Sequence, residues 1–140
     1  MRTILPLAFL LLIAADDPTA TIEINVEGLR NGKGQLHLCL TRNPVHFPNC
    51  IKDPSALRRT VPTAEHQFRL TGVAPGRYAV TLVHDENSNA RLDMFMGIPR
   101  EGFGFSRNPT IRFGAPKFES VDIDLAPGFT RASVRMQYLL

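Results

Sequence analysis

The stretch that decides the fold is IEINVE, residues 22–27. Its apolar residues Ile22, Ile24 and Val26 alternate with polar ones. This period of two is typical of a β-strand that turns one face to a core and the other to water. The alternation recurs in three further runs, whose apolar positions are Leu36, Leu38, Leu40, Phe68, Leu70, Val121, Ile123 and Leu125. These runs predict short strands, each half-buried.

The run RYAVTLV, residues 77–83, is apolar on both faces, which predicts a strand in the middle of a sheet. Val134, Met136 and Tyr138 predict a last strand, and residues 53–64 are expected to hold a short helical turn. Glycine and proline separate the strands. The pattern predicts an all-β chain, folded as a single antiparallel β-sandwich of immunoglobulin-like or transthyretin-like shape.

The N-terminus has the features of a secretory signal peptide over residues 1–15. One arginine precedes an apolar run at 4–13, and small residues follow it. A membrane-spanning helix needs about 20 apolar residues, which this run does not reach. Cleavage is predicted after Ala15, with Ala20 as the alternative, and the sandwich domain is predicted over residues 21–140. The mature chain is therefore expected in the periplasm or outside the cell, with no transmembrane segment.

The amino-acid composition indicates which classes of binding partner to expect. The net charge is +3, 44% of residues are hydrophobic and 21% are charged, which fits one globular domain with a mild charge balance. Basic residues do not cluster with aromatic ones, so nucleic-acid binding is not expected. The sequence does not identify a partner, and a ligand in the cell envelope or outside the cell is expected.

The only two cysteines, Cys39 and Cys50, are predicted to form a disulfide bond, because an exported chain meets an oxidising compartment. A pair of free thiols remains the alternative.

The segment HDENSNARLD, residues 84–93, predicts a cation-binding loop. Oxygen-bearing side chains recur at every second position, and calcium is held by six to eight oxygen atoms at about 2.3–2.6 Å. In the comparison with a helix-loop-helix calcium loop, Arg91 falls at a position where only its backbone carbonyl is needed. Glu101, further along the chain, is expected to supply the carboxylate that the segment lacks. The predicted metal-site residues are Asp85, Asn87, Asn89, Arg91, Asp93 and Glu101.

Two positions depart from that calcium pattern. Ala90 occupies the place of the turn glycine, and Met96 occupies the place of the bidentate glutamate. The alternative interpretation is a hairpin turn without a cation, since Asp, Asn and Ser also favour turns.

Five phenylalanines in the second half of the chain are expected to cover the sandwich core: Phe95, Phe103, Phe105, Phe113 and Phe118. Binding of an apolar or sugar ligand by these rings is the alternative.

The loop and the segments GIPREGFGFS and RFGAPKF that follow it resemble the bacterial family called domain of unknown function 2141. The resemblance implies an exported β-sandwich in which the loop, Glu101 and these segments act as one unit. The residues expected to shape the backbone around the loop are Gly97, Pro99, Gly102 and Gly104.

The expected function is that of an exported module that is not an enzyme, with a structural calcium loop and a binding or envelope-structural role. The alternatives are a metal-dependent periplasmic hydrolase using His84, Asp85 and Glu101, and a cation-free interaction domain.

Overall fold

The computed structural model describes the backbone of residues 10–90, 94–95 and 98–140. Its strands are β1 (Ala20–Glu27), β2 (Gln35–Thr41), β3 (Leu57–Pro62), β4 (Gln67–Val73), β5 (Gly76–Asp85), β6 (Met94–Phe95), β7 (Ile98–Pro99), β8 (Gly102–Phe105), β9 (Ile123–Leu125) and β10 (Gly128–Arg135). Two single-turn 3-10 helices lie at Thr63–Glu65 and Phe118–Ser120. Within these ranges no helix has the length and apolar character needed to cross a membrane. The first nine residues of the predicted signal peptide lie outside the described residues, and residues 10–19 are exposed and without regular structure.

Two packed sheets form the predicted β-sandwich. One has the strand order β10-β1-β4, and the other has the order β3-β2-β5-β8, with β9 beside the start of β5. Most neighbouring strands are antiparallel, as predicted, but β1 and β10 pair in parallel. Parallel neighbours need a long connection, and the body of the domain between residues 28 and 127 provides one.

The core between the sheets follows the predicted alternation. Along β1, Ile22 and Ile24 are fully buried, while Thr21, Glu23 and Asn25 remain partly exposed. Burial of such side chains contributes roughly 1.5–3 kcal/mol each. The inner faces of the other strands complete the core with Leu36, Leu38, Leu40, Phe68, Leu70, Tyr78, Val80, Leu82, Leu125 and Val134.

The central strand β5 is buried on both faces because a second apolar cluster covers the outside of its sheet. Ala79 lies on the opposite face from Tyr78 and Val80, and it packs with Phe103, Phe105, Phe118 and Val121. Three of the five phenylalanines are therefore buried. They lie on the outer face of the five-stranded sheet, not in the core between the two sheets.

Phe113 departs from the prediction that all five rings are covered, because 96% of its surface is exposed. The side chain of Phe95 lies outside the described part of the structure.

The prediction of one short helical turn within residues 53–64 is confirmed only at the end of that range. Residues 57–62 form β3, an edge strand paired with β2, and the 3-10 turn begins only at Thr63. The run LRRTVP has little hydrophobic alternation of its own, so pairing with β2 decides its conformation.

The chain beyond β10 connects the two sheets. Strand β10 ends at Arg135, and Gln137 then exchanges two backbone hydrogen bonds with Phe103 of β8, at 3.0 and 2.7 Å. This crossing places Tyr138 beside the end of β5, where the predicted cation loop begins.

Candidate functional site

The predicted loop leaves β5 at Asp85, whose side chain is fully buried. Its carboxylate accepts hydrogen bonds from the backbone amides of Asn89 at 3.1 Å and Ala90 at 2.7 Å. His37 Nε2 lies 3.0 Å from the same carboxylate. Burying an ionised carboxylate is costly unless it is hydrogen-bonded, and these three partners satisfy that requirement.

The loop contains backbone conformations that favour glycine, although alanine occupies the position of the turn glycine. Ser88 and Ala90 both adopt left-handed backbone conformations, with φ of 56° and 58°. Such a conformation costs alanine about 1 kcal/mol. The bond from Ala90 to Asp85 at 2.7 Å offsets that cost.

The pKa of Asp85 lies below its ordinary value. Burial alone would raise it, but hydrogen bonds from His37, Ala90 and Asn89 favour the charged form and outweigh burial. The carboxylate therefore stays ionised over a wide pH range, as a structural anion or as a cation ligand.

His84, the residue before Asp85, is a hydrogen-bonded core histidine. Its ring is fully buried. Nε2 donates to the carbonyl oxygen of Lys33 at 2.7 Å, and Nδ1 accepts from the hydroxyl of Tyr138 at 2.7 Å. Both ring nitrogens are engaged, so the ring offers no free nitrogen to the metal of the hydrolase alternative.

Glu86, the residue after β5, connects the loop to the turn that follows β1. Its carboxylate accepts from Arg30 Nε at 2.6 Å and from Asn31 at 3.3 Å. The same guanidinium lies over the ring of Tyr138 and donates to the carbonyl of Arg100. The turn after β1, the loop and the C-terminal segment are thereby held together.

The structure brings together only some of the predicted metal-site residues. Asp85, Asn87 and Asn89 share one turn, and Glu101 is buried just before β8. Arg91 and Asp93 lie outside the described residues. In the part of the chain that is described, no group of three His, Cys, Asp or Glu side chains is close enough to hold a metal ion. Calcium binding therefore stays a prediction.

The predicted loop-shaping residues that the structure describes lie in strands. Pro99 is in β7, and Gly102 and Gly104 are in β8; Gly97 lies outside the described residues. A Cβ on Gly104 would approach Val134 to 2.7 Å, and one on Gly102 would meet the ring of Tyr138. Their missing side chains let the C-terminal segment pack against β8.

The outer face of the five-stranded sheet carries a groove next to this loop. Strand pairing sets two rows of side chains across that face, one with Thr60, His37, Val83 and Phe103 and one with Arg58, Cys39, Thr81 and Phe105. The cavity along these rows has a volume of about 750 Å³. Pockets that bind small molecules have volumes of roughly 300–1,000 Å³.

Two segments wall the groove. On one side Cys39 and Cys50 form the predicted disulfide, with a Cα–Cα distance of 6.2 Å, which brings Pro48 and Ile51 to the edge. On the other side residues 111–115 form the wall, with Phe113 exposed at the rim. Ala90 of the loop also lines the groove. The loop and the disulfide therefore border a single surface.

The polar groups of the groove are mainly basic. Arg58, Arg59, Arg112 and His37 line it, together with a few uncharged polar residues, and the described lining contains no aspartate or glutamate. The hydroxyl of Thr81 is buried and makes no hydrogen bond within the described part of the protein. An apolar floor with a basic edge can accept a ligand that combines an apolar body with a negative charge.

Sequence reasoning did not identify His37 and the arginines as members of a shared site. His37 lies 48 positions before Asp85, and the arginines come from unrelated segments. The only available signal was the outward position of His37 in the alternating strand β2.

A family model described as "Uncharacterized protein conserved in bacteria (DUF2141)" matches residues 24–133. No curated protein and no solved structure matches the chain. The matched range runs from β1 to β10 and contains the loop and every lining residue of the groove except Leu139. Since it covers well over half of the sequence, the protein belongs to this uncharacterized bacterial family, DUF2141.

Proposed function

We propose that the protein is an exported, non-enzymatic binding domain whose binding surface is the groove on the outer face of the five-stranded sheet. The observation that carries the proposal is the groove itself, which combines a small-molecule volume, an apolar floor and a few polar groups. Ligand sites in proteins share these properties.

The opposite face of the sandwich gives a contrast. Along β1, β4 and β10 its outward residues include Glu23, Arg69 and Arg131, which form ion pairs across the strands. Phe129 lies between the two arginines, with their guanidinium groups over its ring. Charged pairs of this kind make an ordinary solvated sheet surface, so the groove is the better candidate for binding.

The Asp85 loop supports the groove from one end. His37 connects the two, because one ring nitrogen contacts Asp85 at 3.0 Å and the other contacts Thr60 Oγ1 at 2.9 Å. In this proposal the loop is a structural element that positions His37 and Ala90. A calcium ion in the loop would strengthen that role, but binding in the groove does not depend on it.

One feature supports export, and two others bear on the position of signal cleavage. The Cys39–Cys50 disulfide fits an oxidising compartment. Signal cleavage after Ala15 also leaves β1 whole, whereas cleavage after Ala20 removes a fully buried residue of β1 and the Thr19 carbonyl that accepts from Gly128. We therefore propose Ala15 as the cleavage position.

An uncharged fluorescent probe tests the groove. N-phenyl-1-naphthylamine should gain fluorescence with the mature chain, and Val83→Gln should weaken that gain, because Val83 points into the groove and a longer polar side chain fills it. Thr71→Gln is the matched control, since Thr71 is exposed on β4 of the other sheet. Equal binding by the wild type and both variants, or no binding at all, would contradict the proposal.

A further inference from the structure

We propose that the natural ligand of the groove is a free, small amphipathic anion, with an apolar body and a carboxylate or a similar acidic group. This inference rests on the proposed function and adds the chemical class of the ligand to it.

The first argument is the charge of the groove. Arg58 and Arg112 line it and form no ion pair within the described ranges, whereas most described arginines elsewhere on the surface, among them Arg77, Arg107 and Arg131, pair with acidic side chains. Guanidinium groups bind carboxylates and phosphates in a geometry that they share with few other groups. An anionic ligand would supply the missing partner.

The second argument is the apolar surface between the charges. Val83, which is partly exposed, lies on the floor beside Phe103 and Phe105, whose rings are 7% and 5% exposed, and Phe113 stands at the rim with 96% of its surface exposed. Each methylene group that leaves water on such a floor contributes about 0.8 kcal/mol. A purely polar anion would leave this floor uncovered.

The third argument is size. A cavity of about 750 Å³ matches a small molecule and not a folded partner. The disulfide-bound segment and residues 111–115 wall two sides, which favours an elongated ligand that lies between these walls. A free fatty-acid-like anion meets all three conditions.

Three ligands with the same hydrocarbon chain separate charge from apolar burial. Titration calorimetry of the mature chain should show decanoate binding more tightly than 1-decanol, and decyltrimethylammonium binding least. Exposed ion pairs contribute modestly, so we expect a preference for decanoate over decanol of about three- to tenfold. The preference should shrink as salt is raised, because the arginines are exposed and screened.

Matched variants locate the charge effect. Arg58→Gln and Arg112→Gln should each weaken decanoate binding about two- to fivefold and leave decanol binding unchanged. Arg69→Gln, on β4 of the opposite sheet, removes the same charge and should change neither. Thermal melting of each variant checks that it is folded.

The outcomes distinguish the inference from the proposed function. If decanol binds as tightly as decanoate, or if Arg69→Gln weakens decanoate as much as the groove variants do, the anion inference is overturned while the groove remains a binding site. If neither these ligands nor the uncharged fluorescent probe binds, the proposed function fails with it. Binding to phosphatidylglycerol vesicles without binding of free decanoate would also overturn the inference, in favour of a membrane surface.

Discussion

Replacement of Asp85 by alanine tests whether the loop is built around this carboxylate. The side chain is fully buried and contacts three donors, at 2.7, 3.0 and 3.1 Å. Hydrogen bonds to a charged group contribute about 1.5–3 kcal/mol each when their donors are buried. The amides of Asn89 and Ala90 belong to an exposed turn, so water replaces part of the loss, and we expect a total cost of about 2–4 kcal/mol.

Urea and thermal unfolding of residues 16–140, followed by circular dichroism, measure this cost. For a domain of this size 1 kcal/mol corresponds to about 4 °C in Tm, so Tm should fall by roughly 8–16 °C. Asp124→Ala is the matched control, because Asp124 is 75% exposed and its ion pair with Arg77 is long, at 3.6 Å. That variant should change the unfolding free energy by less than about 0.5 kcal/mol.

A double-mutant cycle with His37 then isolates one of the three contacts. His37→Ala should cost about 1 kcal/mol in the wild type and much less in the Asp85→Ala background, because its partner is already absent. Equal effects of Asp85→Ala and Asp124→Ala would refute the view that Asp85 organises the loop.

Three further predictions use the same unfolding assay. Calcium should raise the Tm of residues 16–140 relative to chelator, and Asp85→Ala should abolish the difference. An equal Tm with calcium and with chelator would leave the hairpin-turn interpretation. Acid should destabilise the protein, because the pKa values of Asp85 and Glu86 lie below their ordinary values in the folded state. The stabilisation from these carboxylates is complete at neutral pH and is lost as pH falls below about 5. An unfolding free energy that stays constant down to about pH 3 would contradict this. Reduction of the Cys39–Cys50 bond, which spans 11 positions, should lower the unfolding free energy by about 3 kcal/mol, and a Cys39→Ser, Cys50→Ser chain should be insensitive to the reductant.

The local pattern of the sequence was enough to predict the class of fold. Ile22, Ile24 and Val26 face the core because a strand alternates its side chains with a period of two, whatever its neighbours are. The disulfide was also predictable, since the chain has only two cysteines and its predicted export would place them in an oxidising compartment. The turn at Asp85 was predictable because it is also local. Its carboxylate accepts hydrogen bonds from backbone amides only four and five positions further along the chain.

The groove was not predictable, because strand order and register place its residues together. Thr60, His37, Val83 and Phe103 form one row only because β3, β2, β5 and β8 are neighbours in that order. A shift of one residue in any pairing would turn these side chains to the other face of the sheet. Alternation along one strand carries no information about which strand lies beside it. The tertiary structure alone therefore decided that His37 contacts Asp85, and that two arginines from distant segments, which form no ion pair with any described residue, border one apolar floor.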